Sequence, residues 1–277
     1  MTALLSAEGL CKSYTRRSLI RAQAPREVLG GVSIAVAPGE SLAVLGRSGS
    51  GKSTLMRLLM GLEKPSAGRV SFRGQDLQHL DAAGTRNFRA SVQMVFQDSI
   101  GAANPRFRLG DIVAEPLRHL TALDKRARTA RVAELLASVG LCPEDARKHP
   151  SQVSGGQLQR VCIARALATD PALLVLDEAV SNLDILLQGQ IIDLIRSLRT
   201  QRGMALVFIT HDLRLVRLLC ERVAVMDAGR ILETGPVDRR LQLQSRAGRA
   251  LQDAILPALP KAKGMHAGAG LEDVNVG

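Results

Sequence analysis

A chain of 277 residues with 46% hydrophobic content can bury one large α/β core or two small ones. Its longest apolar runs, such as Ala172–Leu176 and Met204–Ile209, are strand-length, and none approaches the ~20 residues that cross a bilayer as a helix. The net charge of +11 is spread over scattered Lys and Arg, and with 2% aromatics, no Trp and one Tyr there is no stacking platform for single-stranded nucleic acid.

Ser6–Tyr14 and Val28–Val36 read as opening strands separated by a polar, arginine-bearing insertion. A third strand, Ser41–Leu45, runs into the glycine-rich stretch Gly46–Ser53, and Ser53–Leu62 follows with helical character. A short strand pair is expected around Gly68–Gly74 and another strand at Val92–Phe96. The stretch from about residue 85 to 167 changes character. It carries apolar residues at three- and four-residue spacing over Asp111–Leu120, Arg126–Val139 and Gly155–Ala168. Strands return at Leu173–Leu176, Ala205–Ile209 and Val223–Met226, separated by the helical patterns Asp184–Leu198 and Leu213–Cys220. From Gly235 the pattern is less regular. The alternation predicts an α/β fold with a parallel sheet and an inserted helical subdomain. There is no internal repeat.

The most informative segment is Gly46-Arg47-Ser48-Gly49-Ser50-Gly51-Lys52-Ser53, a complete G-x-x-x-x-G-K-S phosphate loop in its required strand–loop–helix context. Its glycines permit positive φ and close backbone approach, so successive N–H groups can wrap a polyphosphate such as ATP. The following helix aims its positive end at the same anion. Lys52 is expected to reach the β- and γ-phosphates and Ser53 to ligate Mg²⁺, with Thr54 extending the polar collar. Downstream, Ser154-Gly155-Gly156-Gln157 is a second phosphate-seeking sequence at a helix start, so each nucleotide is expected to be gripped by two chains. Leu173–Leu176 delivers Asp177 and Glu178 to a strand end, Asp177 for Mg²⁺ and Glu178 to polarise the attacking water. Taken alone, Gln97 and His211, each after a strand, read as surface or capping residues.

Together these residues stand in the order and spacing of the nucleotide-binding subunits of ABC transporters, which the chain resembles over about residues 5–240, leaving 241–277 as a tail. The resemblance implies a P-loop NTPase core of ABC type, with an antiparallel β-subdomain and a helical subdomain at about 85–167. It gives Tyr14, the single tyrosine, as the aromatic that stacks on adenine. Gln97 becomes the Q-loop residue that senses Mg²⁺ and touches the membrane partner. Ser154, Gly155, Gly156 and Gln157 would contact ATP held by the other subunit, Asp184 would lie in the D-loop crossing that interface, and His211 would contact the γ-phosphate.

Finer variants narrow the resemblance. Gln97-Asp98-Ser99, Asn104-Pro105-Arg106, Asp177-Glu178-Ala179-Val180-Ser181-Asn182-Leu183-Asp184, Gly46–Gly49, Gln157–Cys162 and Thr210–Val216 look like nickel-importing members of the dipeptide, oligopeptide and nickel importer family. Val153 in place of the usual signature Leu is a small apolar exchange that implies no loss of activity. This implies a second, distinct ATP-binding subunit, two transmembrane permeases and a periplasmic nickel-binding protein, with the chain on the cytoplasmic face of the inner membrane. Peptides or another metal are the alternative cargo, and a non-transport ABC ATPase is a further alternative that the lack of a second core, zinc insertion or coiled coil opposes. Four dispersed cysteines without C-x-x-C and a start without a basic, apolar leader fit reduced thiols and no export signal. The five histidines and four cysteines lack metal-ligand spacing, so nickel is not expected to bind this chain directly. The basic clusters Lys125–Arg128 and Arg239-Arg240 read as a solvated or membrane-proximal face rather than a nucleic-acid site.

Overall fold

Every side chain of β3 (Ser41–Leu45) is buried, and the strand's two faces feed different cores. Ala43 and Leu45 pack on one side, Leu42 and Val44 on the other. The pattern repeats in β7 (Leu173–Asp177) and β8 (Ala205–Thr210): Leu174, Leu176, Leu206 and Phe208 face one core, and Leu173, Val175, Val207 and Ile209 the other. Continuous apolar runs are what a sheet covered on both faces requires. The computed structural model describes residues 2–15, 25–181, 183–238 and 241–254.

These strands belong to a six-stranded sheet ordered β10-β9-β3-β8-β7-β6, where β6 is Val92–Val95, β9 Arg222–Asp227 and β10 Arg230–Pro236. All its pairings are parallel except β9 with β10. A second, antiparallel sheet runs β2-β1-β4-β5, from β1 (Leu5–Tyr14), β2 (Arg26–Val36), β4 (Ala67–Phe72) and β5 (Gln75–Asp76). The expected strand pair is therefore β4–β5, closed by Arg73 and Gly74 at φ 50 and 82. Two consecutive positive φ values match the right-handed twist of a two-residue hairpin.

Helix α1 (Lys52–Leu59) sits between the sheets, burying Leu55, Met56, Leu58 and Leu59 in the shared core. Between β6 and β7 the chain forms α3 (Ser99–Ala102), α4 (Leu109–Leu120), α5 (Lys125–Ser138) and α6 (Gly155–Ala166). They pack with α7 (Ile185–Arg202) and α8 (Leu213–Leu219) against the other face. Helix α2 (Ala82–Ser91), not legible in the periodicity, is capped by Asp81 accepting from Gly84 N at 2.7 Å.

Beyond Gly235 the described residues 236–238 and 241–254 are more regular than the sequence pattern suggests, and the rest of the expected 241–277 tail lies outside the described residues. Leu241 and Leu243 are buried in the helical core, and α9 (Arg246–Asp253) is fastened through Glu233, which accepts from Gln244 N at 2.7 Å and Ser245 N at 3.1 Å.

Candidate functional site

The phosphate loop joins β3 to α1. Its conformation depends on missing side chains: a Cβ at Gly46 would lie 2.3 Å from Met226 O and 2.7 Å from Ser50 Oγ, so only glycine fits. Gly51 caps α1 at φ 104, where an L side chain is strained. Ser50 Oγ is buried with no hydrogen-bond partner, an orphan that a polar ligand in the loop would satisfy. Lys52, only 6% exposed, folds onto the loop and donates to Gly46 O at 2.8 Å and Arg47 O at 3.0 Å. Burial pushes its pKa below the usual lysine range, against the opposing pull of the Glu178 and Asp177 carboxylates. A desolvated cation beside backbone donors is a site short of negative charge. Arg47, Ser48 and Gly49 are exposed, Ser53 is exposed in the first turn of α1, and Thr54 is buried.

Asp177 ends β7, in register with Ile209 of the parallel neighbour β8. Burial and the adjacent Glu178 charge raise its pKa, opposed by Lys52 and Arg57. A half-buried carboxylate with raised pKa gains from a nearby cation, and the oxygen donors of Asp177, Ser53 and Gln97 are of the kind Mg²⁺ takes. The residues present therefore fit that ion.

Glu178 departs from ordinary strand geometry, with φ 44. A non-glycine residue in the left-handed region costs about 1–2 kcal/mol and persists only where its surroundings over-determine it. Here its N–H donates to Ile209 O at 3.0 Å, and its carbonyl accepts from Ser181 N at 3.0 Å and Ser181 Oγ at 2.8 Å. Ala179 and Val180 behind it are buried, giving a physical place to two of the sequence variants. The twist turns the Glu178 carboxylate to two residues from separate strands' ends. Gln97 Nε2 donates to Oε2 at 3.1 Å, and His211 Nδ1 lies 3.2 Å from Oε1. Gln97 and His211, ambiguous singly, are thus brought together on one acid.

The second phosphate-seeking sequence begins α6. The hydrogen bonds of Ser154 and Gln157 run to each other, whereas those of Lys52 stay within its own loop. Ser154 caps α6 in a reciprocal box: Gln157 N donates to Ser154 Oγ at 3.2 Å and Ser154 N to Gln157 Oε1 at 2.9 Å. Ser154 and Gly155 are exposed, and a Cβ at Gly156 would press the Leu187 methyls at 3.3 Å. Glycine there lets α6 start against α7, whose cap is Asp184, accepting from Leu187 N at 3.0 Å. Asn182 and the Arg239-Arg240 pair lie outside the described residues.

Tyr14 closes β1 and is 38% exposed. Sequence reasoning finds this residue but not its neighbours: its hydroxyl donates to Glu63 at 2.7 Å, and Lys12 Nζ lies 5.2 Å from the ring centroid. No sequence signal links positions so far apart.

A parallel sheet, a glycine loop wrapped for an anion and two acids at the end of β7 define a P-loop nucleoside triphosphatase. An ABC transporter family model matches residues 29–181. The nickel import ATP-binding protein NikE of Rhodospirillum rubrum is 58% identical over 262 residues, covering 95% of each chain. That of Escherichia coli K12 is 52% identical over 257 residues, 93% of this chain and 96% of the relative. An ATP-binding cassette solved as a dimer in a post-hydrolysis state with ADP and Pi superposes at TM-score 0.74, with 28% identity over 84% of this chain and 99% of the other. CbiO1 of Clostridium perfringens, part of the transporter complex CbiONQ, gives TM-score 0.73 and 29% identity over 86% of this chain and 90% of its own. The chain belongs to the ABC transporter ATP-binding family and is an ATP-hydrolysing subunit of that class. Among the described residues no helix is long and apolar enough to cross a membrane.

Proposed function

We propose that the chain is the ATP-hydrolysing motor of a nickel importer, seated on the cytoplasmic face of the inner membrane. The observation that carries the motor reading is the strained Glu178, held between Gln97 and His211 at the end of β7. Identity of 52–58% to nickel import ATP-binding proteins over nearly the whole chain supports the cargo.

In this reading Lys52 leaves the loop carbonyls for the β- and γ-phosphates, and the N–H groups at the start of α1 face the same oxygens. Ser53, Asp177 and Gln97 would hold Mg²⁺, which would neutralise charge on the phosphates when bound. Glu178 orients water and accepts its proton, and its two partners fix the direction in which the carboxylate does so. With Nδ1 turned to Glu178 Oε1, the contact of His211 with the γ-phosphate falls to Nε2–H as the donor. Tyr14 stacks on the adenine with the ring face that Lys12 does not cover.

Ser154, Gly155, Gly156 and Gln157 serve the nucleotide of a second ATP-binding subunit, a distinct homologue, and Asp184 lies at that interface. Two permeases and a periplasmic nickel-binding protein complete the complex. The Ser154 hydroxyl accepts from its own helix and keeps its proton for an outside acceptor. The isolated full-length chain is therefore expected to hydrolyse ATP slowly, with the rate rising when partner ATPase and permeases are added. Full activity of the chain at high dilution overturns the shared site.

Deleting the gene is expected to abolish high-affinity uptake of radioactive nickel, with higher external nickel restoring nickel-dependent enzymes through other routes. A deletion strain that takes up nickel normally and loses dipeptide uptake refutes the cargo while leaving the motor intact.

A further inference from the structure

Tyr14 and Glu63 come from different elements, the end of β1 and the turn just beyond α1, 49 positions apart. The 2.7 Å bond between the phenol and Glu63 Oε2 has the length of a charge-assisted O–H···O⁻ contact. Glu63 is itself held from two further sides, by Lys12 Nζ at 3.2 Å and Arg57 Nη1 at 3.8 Å, and its side chain is 26% exposed. Its carboxyl lies below the ordinary glutamate range, chiefly through the Tyr14 hydrogen bond. Lys12, donating to Lys64 O at 2.7 Å, also covers one face of the Tyr14 ring within cation–π range.

The position of Glu63 relative to the phosphate loop matters equally. Lys52 begins α1, Arg57 lies on the same helix, and the turn that follows is tied back to it by Gly61 N to Leu58 O at 3.0 Å and Leu62 N to Arg57 O at 2.8 Å. One short, core-packed helix thus carries the phosphate grip at one end and the anchor of the Tyr14 hydroxyl beyond the other.

We infer that Glu63 is a positioning residue of the nucleotide site, pinning the Tyr14 ring through its hydroxyl at a fixed place relative to the phosphate loop and so setting affinity for the base of a nucleoside triphosphate. The inference rests on Tyr14 being the base-stacking aromatic. An exposed ring fixed only at its Cβ swings about χ1. Bonding its tip removes that freedom before the base arrives, so less entropy is lost on binding.

The test measures Mg²⁺-dependent binding of ATP and of inorganic tripolyphosphate, which has no base, to the full chain and its variants. Removing the stack with Tyr14→Ala is expected to weaken ATP binding by about five- to a hundredfold, the loss of one base–aromatic stack. Tyr14→Phe deletes the pin alone, and Glu63→Leu deletes it together with the ion pairs to Lys12 and Arg57. Each is expected to weaken ATP binding about three- to tenfold, in keeping with the cost of ordering one side chain on binding. The double variant should bind no worse than either single, because both delete the same bond. Glu63→Gln keeps an acceptor and should recover most of the loss, and tripolyphosphate binding should be unchanged throughout. In the assembled transporter Glu63→Leu should raise KM for ATP by more than it changes kcat, the split expected of a residue that positions the base rather than the reacting phosphate.

If Tyr14→Ala weakens ATP binding while Tyr14→Phe and Glu63→Leu bind as wild type, the ring stacks without its anchor and the inference alone fails. If Tyr14→Ala changes nothing, the base-stacking reading fails and takes the inference with it. Equal loss of ATP and tripolyphosphate binding in Glu63→Leu signals a displaced α1 and also overturns the positioning role.

Discussion

Glu178→Gln is expected to bind Mg-ATP as tightly as the parent chain while hydrolysis in the assembled transporter falls by about 10²-fold or more, the range set by losing a positioned general base. The amide keeps the same Cβ and length, so the φ of 44 and the bonds to Ile209 and Ser181 are undisturbed. An amide oxygen can still accept from Gln97 or His211, but it cannot take the proton of attacking water. Single-turnover hydrolysis and nucleotide binding, measured on one preparation, separate the two effects. Near-wild-type turnover removes Glu178 from the role. Glu178→Gly serves as a control for strain: it relieves the left-handed backbone yet deletes the carboxylate, so it should be as inactive without being less stable.

That residue also marks the limit of what a sequence can disclose. The phosphate loop, the acids at 177–178 and the serine–glycine start of α6 are legible because each is a local string whose chemistry follows from adjacency. The order of strands and helices is legible because buried strands are continuous apolar runs. The clasp of Gln97 and His211 on Glu178 joins positions 81 and 33 apart, and only the parallel register of β6, β7 and β8 brings those strand ends together. The strained φ of Glu178 has no sequence signal at all. Helix α2 is silent in the sequence because Phe88 is its one buried residue, and α9 because Gly248 is its only buried position. Both depend on caps and side-chain hydrogen bonds more than on an apolar face. β10 alternates only between exposed and half-buried positions and contains Gly235 and Pro236, so its strand character comes from pairing with β9.

Lys52→Met is expected to raise the dissociation constant for ATP by roughly thirtyfold or more, corresponding to about 2 kcal/mol or more for truncating one partner of a buried charge pair. Methionine nearly matches the lysine stem, so packing at the start of α1 is retained and the loss isolates the charge. Stability separates this from a folding defect. Burial holds the folded-state pKa of Lys52 below its unfolded value, so the unfolded chain binds that proton more readily. At neutral pH the charge therefore opposes folding, and the opposition fades as pH rises through the window between the folded and unfolded values. Removing the charge should leave the nucleotide-free thermal midpoint unchanged or higher at pH 7, while stabilisation by added ATP largely disappears. A lower midpoint in the absence of nucleotide means that the bonds to Gly46 and Arg47 outweigh the desolvation of the ammonium. Unchanged ATP affinity means that the loop does not grip the phosphates through Lys52.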